Sequence, residues 1–109
     1  MALHEIPLER RTLHGHFSGD LEPILTVDSG DSIAFAAPDA GWGIGPPQDV
    51  SGTRDRFEPQ DPELDRGHPL IGPVAVRDAR AGQTLEVRID EVRVGAWGIT
   101  DAGGRHTPL

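Results

Sequence analysis

The chain has 109 residues, a formal net charge of −8, no cysteine and no lysine, so every strong base is an arginine. That length allows a single domain over residues 1–109 with one modest core, while the missing residue types exclude disulfides, thiolate nucleophiles, Cys-ligated zinc, Schiff-base chemistry and P-loop phosphate binding. The acidic balance excludes the basic footprint of a nucleic-acid binder and argues against docking on anionic lipid.

Residues 1–12 hold Glu5, Glu9, Arg10 and Arg11 without an apolar stretch. They do not read as a signal peptide, and no other stretch is long and apolar enough to span a membrane, so a cytoplasmic protein is expected. The 14 glycines and 10 prolines in so short a chain point to many turns and few helices.

The first ten residues read as a strand or a loose arm, because Pro7 disfavours a helix. Thr12-Leu13-His14-Gly15-His16-Phe17-Ser18 reads as a short strand. Leu21-Glu22-Pro23-Ile24-Leu25-Thr26-Val27 is a better one, rich in β-branched residues and followed by the turn Asp28-Ser29-Gly30-Asp31. The two acids of that turn suit Asx-type bonds. Ser32-Ile33-Ala34-Phe35-Ala36-Ala37 then alternates, with Ile33, Phe35 and Ala37 on one face. The two runs suggest sequential strands, not necessarily a direct hairpin.

Residues 38–67 carry Pro38, Pro46, Pro47, Pro59 and Pro62 among many acids, and no hydrophobic period survives there. A loop of that length inside a small domain is functional or disordered. Trp42, in Gly41-Trp42-Gly43-Ile44-Gly45, either pins this loop to the core or lines a pocket, packing being the commoner use of so large an apolar area.

His68-Pro69-Leu70-Ile71-Gly72-Pro73-Val74-Ala75-Val76 follows. Its prolines bar a helix interior, and Val74 starts a strand. His68 therefore stands in a rigid backbone setting at the mouth of a β-element, placed either as a ligand or base or to hold the turn. Gln83-Thr84-Leu85-Glu86-Val87-Arg88-Ile89-Asp90 alternates most cleanly in the chain, with a phase change at Val92 and Val94 that suggests a bulge near Glu91. Residues 95–109 are irregular, with Trp97 as the large anchor. The result is an all-β, sandwich-like domain with a long acidic Pro/Gly-rich loop.

The groups able to do chemistry are His14, His16, Asp20, Asp39 and His68, with Glu22 in reserve. On a strand, His14 and His16 share a face and could ligate one metal, with a later acid or histidine completing a site that keeps a water position. The same His-x-His spacing also occurs on ordinary exposed strands. None of the four serines, Ser18, Ser29, Ser32 and Ser51, lies in a Gly-x-Ser-x-Gly elbow. If the chain hydrolyses anything, an activated water is the remaining nucleophile.

Three stretches in order resemble the acetamidase/formamidase family: Leu13-His14-Gly15-His16-Phe17; Pro23-Ile24-Leu25-Thr26-Val27-Asp28-Ser29-Gly30-Asp31-Ser32-Ile33; and the block from His68 to Val76 with Gly82-Gln83-Thr84-Leu85-Glu86-Val87-Arg88-Ile89. The resemblance covers residues 13–97 and corresponds to the family's N-terminal half. It departs at Asp78-Ala79-Arg80-Ala81-Gly82-Gln83, where the family has a Gly-Ala-x-Pro-Gly-Asp turn.

The resemblance implies a β-sandwich of jelly-roll type and hydrolysis of small amides, formamide or acetamide, to carboxylate and ammonia. It implies a divalent metal, zinc or calcium, carried over to His14, His16 and His68, with His14, His68 and Asp39 as catalytic positions. It further implies a homo-oligomer or a complementary C-terminal half chain as partner. A truncated or split member acting as a non-catalytic β binding or assembly domain is the alternative.

Overall fold

The computed structural model describes residues 1–100. Its regular elements are almost all strands: β1 (Leu3–Ile6), β2 (Leu13–His14), β3 (Leu25–Val27), β4 (Ser32–Phe35), β5 (Leu70–Ile71) and β6 (Val74–Val76), with one 3-10 turn at Arg10–Thr12. The fold is all-β, as the turn-rich composition and alternating runs require.

The strands form three two-stranded sheets, β1–β4, β2–β5 and β3–β6. β1 lies parallel to β4, with Leu3 opposite Ser32 and Ile6 opposite Phe35. β3 lies parallel to β6, from Leu25 opposite Val74 to Val27 opposite Val76. β2 runs antiparallel to β5, pairing Leu13 with Ile71 and His14 with Leu70. The sequential strands β3 and β4 thus take different partners, and the turn between them is a corner rather than a hairpin.

That corner is tied by Asp31. Its Oδ1 accepts the Ala2 N–H at 2.9 Å, and its Oδ2 accepts the Asp28 N–H at 3.0 Å and lies 2.9 Å from the His4 ring Nε2. Gly30 has φ 91°, a left-handed conformation that glycine adopts without a Cβ clash. The turn is closed by the Asp31 N–H donating to the Asp28 carbonyl at 3.0 Å and by the Asp31 carboxylate reaching back to the Asp28 N–H, rather than by a forward Asx bond, and the same carboxylate docks the start of β1 against it.

The long loop 38–67 is ordered by its own polar groups. The Asp39 carboxylate accepts N–H groups of Gly41 and Gly43, at 2.8 and 3.0 Å, and two guanidinium N–H groups of Arg54. Trp42 is 4 % exposed and joins Ile6, Leu13 and Val27 in the core. Its indole N–H donates to the Gly67 carbonyl at 2.9 Å, so the tryptophan packs and closes the loop end onto its beginning.

The clearest sequence expectation for a strand is not met. Residues 84–95 belong to no strand or bridge among the described residues, and Leu85, Val87 and Ile89 stand 72 %, 73 % and 76 % exposed. Alternation states which face a strand would bury, but a ladder also needs a neighbouring edge, and none of the described strands lies alongside. For the same reason no bulge forms near Glu91. Expectations for residues 101–109 lie outside the described residues. No described helix is long and apolar enough to cross a membrane.

Candidate functional site

The candidate site is a cleft of about 420 Å³ between β2 and the end of the long loop, lined among others by Arg10, His14, His16, Gln60, Asp61 and Asp65. β2 is short because the chain turns away after His14, and the intervening Gly15 permits that turn under crowding. A Cβ built on Gly15 would stand 2.5 Å from the Asp65 Cα and 2.9 Å from the Trp42 ring. Glycine is thus the residue that lets the His14–His16 segment press onto the loop, and the Gly67 N–H seals the contact by donating to the Gly15 carbonyl at 2.9 Å.

The two imidazoles meet edge to face, with ring centroids 6.0 Å apart. His16 is anchored by a backbone carbonyl. His16 Nδ1 lies 3.0 Å from the Leu64 carbonyl oxygen. Because a carbonyl only accepts, that nitrogen carries the proton, and the neutral ring keeps its lone pair on Nε2. The Gly72 backbone lies close enough to His14 to favour its protonated form slightly. Burial first, and the neighbouring His16 next, hold the His14 imidazole below its ordinary 6.5. His16 therefore offers one nitrogen lone pair with its other nitrogen fixed, and His14 stands beside it largely in the neutral form, an arrangement suited to a base or a metal ligand.

Beneath the rings lies a polar hub with no local signal in the sequence. The Asp65 side chain is 2 % exposed and accepts an Arg10 guanidinium N–H at 2.7 Å and the Asp61 N–H at 2.9 Å. Burial pushes its carboxyl up, but the Asp61 N–H, the Arg10 guanidinium and the Gly15 N–H outweigh it and hold it below the usual carboxylate value. Arg10 also donates to the carbonyls of Pro59 and Leu13, at 2.8 and 2.6 Å, and stands 5.7 Å from the centroid of the Trp42 ring. Asp61 accepts the N–H groups of Glu63 and Leu64, which turns the chain so that the Leu64 carbonyl reaches His16.

The expected site residues divide between two places. His14 and His16 share the cleft just described. His68 and Asp39 line a second, larger cleft of about 750 Å³, together with Arg54 and the segment Gly98-Ile99-Thr100. There His68 is exposed, and Asp39 is engaged by Arg54 and by loop amides, which lower its carboxyl to about 2. Asp20 and Glu22 are exposed and line neither cleft. Among the described residues, no three His, Cys, Asp or Glu side chains are arranged to hold a metal ion. The residues present therefore offer two imidazole donors, one short of the three protein ligands of a catalytic zinc centre.

The sequence model of the Acetamidase/Formamidase family matches residues 3–104, most of the chain. No curated protein and no solved structure matches it.

Proposed function

The chain belongs to the acetamidase/formamidase family, and on that premise we propose that it takes part in hydrolysis of the carbon–nitrogen bond of short linear amides such as formamide and acetamide, at the cleft holding His14 and His16. The observation that carries the reading is the pair of imidazoles set edge to face in one cleft large enough for a small amide and a water, with His16 anchored through Nδ1.

In this reading neutral His14 takes a proton from water as the water oxygen adds to the amide carbonyl carbon. The carbon–nitrogen bond then breaks, and the imidazolium returns the proton to the departing nitrogen, giving the carboxylic acid and ammonia. The lowered affinity of His14 for protons favours the base form at neutral pH. His16 lies beside it to orient the water or the amide. Asp39 and His68 line the other cleft and take no part in this proton transfer.

The family resemblance implies zinc or calcium. The described residues do not by themselves fit such an ion, since no three His, Cys, Asp or Glu side chains among them are arranged to hold one. A metal would draw its remaining donors from a second copy or a complementary chain. A cytoplasmic site of action belongs to the same reading.

Ammonia release that is lost in His14→Ala, in a chain that still folds, tests the assignment. The second reading, a non-catalytic assembly domain, is favoured by one observation: the open apolar run at residues 85–94.

A further inference from the structure

The hydrogen bonds around the histidine cleft leave its lining rich in unused acceptors. The guanidinium there, Arg10, is committed to the Asp65 carboxylate and to the carbonyls of Pro59 and Leu13. The neutral His16 ring uses its one N–H on the Leu64 carbonyl, so Nε2 is an acceptor. Two further lining residues, Asp61 and Gln60, divide in the same manner between the fold and the cleft.

The Asp61 Oδ1 accepts both the Glu63 N–H at 2.8 Å and the Leu64 N–H at 2.9 Å, while Oδ2 takes no hydrogen bond among the described residues. The Leu64 and Glu63 amides hold its carboxyl below the ordinary 3.8, so it is ionised at neutral pH. The Gln60 Nε2 donates to the Phe57 carbonyl at 3.1 Å. A carbonyl only accepts, which identifies the near atom as the nitrogen. The Gln60 Oε1, an acceptor, is left without a partner among the described residues.

The charge has the same sense. Two carboxylates, Asp61 and Asp65, against one guanidinium, Arg10, leave the lining with a negative charge in excess while the imidazoles are neutral. A ligand that presents N–H groups and positive charge answers both features, since a charge-assisted hydrogen bond is about twice as strong as a neutral one. A carboxylate, which only accepts, answers neither.

We propose that this cleft recognises the N–H side of its ligand through Asp61 Oδ2 and Gln60 Oε1, and that it therefore binds small planar amidinium cations. Acetamidinium has the shape of acetamide, with a second nitrogen in place of the oxygen and a delocalised positive charge. For an amide, the same two acceptors take the hydrogens of its nitrogen and make Asp61 a specificity-determining residue; that part rests on the hydrolytic reading. Amidinium binding does not, because it needs neither water nor turnover.

The test follows the His16 ring resonances of the 109-residue chain by NMR, at about pH 8, above the ordinary imidazole range, while acetamidinium, acetate or potassium is added at constant ionic strength. Acetamidinium is expected to shift them saturably, with an affinity at least about tenfold above that of acetate, the worth of one hydrogen bond to a charged group. Potassium, a cation without N–H groups, is expected to leave them in place. Asp61→Asn keeps an oxygen for the Glu63 and Leu64 amides but replaces the unused acceptor with a donor. It should weaken acetamidinium about fivefold, as for a solvent-exposed charge pair, with an unchanged circular dichroism spectrum. Glu63→Gln, at an exposed acid that does not line the cleft, should leave the affinity as it is. Acetamidinium that does not move His16, or that binds no better than acetate or potassium, overturns the inference. So does an affinity indifferent to Asp61→Asn or equally lowered by Glu63→Gln. Ammonia release reports on the hydrolytic reading separately: a chain that binds acetamidinium as described and releases no ammonia upholds amidinium binding and counts against hydrolysis alone.

Discussion

Asp65 and Arg10 lie 55 residues apart in sequence and form one ion pair, 2.7 Å long, in which the carboxylate is buried and the guanidinium reaches solvent along one edge. The pair joins the 3-10 turn before β2 to the end of the long loop, the two walls of the histidine cleft. Arg10→Ala would leave the Asp65 charge buried with only amide donors. An uncompensated buried charge costs roughly 3–5 kcal/mol, and because Arg10 is 37 % exposed solvent screening reduces this to about 2 kcal/mol. Arg10→Lys should recover less than half of the loss, since an ammonium cannot serve the Asp65, Pro59 and Leu13 acceptors with a planar fork. Urea unfolding of the three proteins measures both differences.

Gly15→Ala is expected to be among the most damaging single-methyl additions in the chain. The new Cβ would stand 2.5 Å from the Asp65 backbone, and backbone cannot rotate aside as a flexible side chain can. Overpacking of this kind costs about 1–3 kcal/mol, and the strain falls where His14 and His16 are held. Thermal unfolding gives the stability loss. Gly19→Ala, at a position with nothing within 4 Å of the added carbon, is the control and should be nearly neutral.

Two part-buried carboxylates contribute to acid unfolding, beside other lowered aspartates at the surface. The Arg54 guanidinium, with the Gly41 and Gly43 amides, lowers Asp39 to about 2 from 3.8, and Asp65 is lowered as well. A group whose folded value is depressed adds stability above its unfolded value and loses it as pH falls through the folded one. Stability should therefore be flat above about pH 4 in these two groups and decline from there toward about pH 2. Asp39→Asn should lower stability at neutral pH and flatten that acid decline, measured as unfolding midpoints between pH 2 and 6.

Strands and partners were unequally legible in the sequence. β-branched and apolar runs beside turns marked β3 and β6, and alternation marked β4, although all four residues of β4 stand exposed. Such patterns could not say that β3 pairs with β6 and β4 with β1, since a period of two carries no address. The same limit explains residues 83–90, whose pattern is the cleanest and whose partner is missing among the described strands. The pairing of His14 with His16 was visible as a two-residue spacing, although β2 ends at His14 and it is the crowded turn at Gly15 that brings the rings together. Trp42 behaved as its size requires. Arg10 and Asp65 could not be found from sequence, because an ion pair spanning 55 residues leaves no local pattern. His68 and His14 looked like one site and lie in two clefts.

The measurement that bears most directly on the proposed chemistry is ammonia release from formamide and from acetamide by the purified chain, with and without added zinc, alongside His14→Ala and His68→Ala of matched folding and solution mass. Neutral His14 as the base predicts turnover that falls at least about 100-fold in His14→Ala, the usual worth of a general base, and falls far less in His68→Ala. Turnover equal in the parent chain and His14→Ala, or a folded chain with no release under any of these conditions, would contradict it.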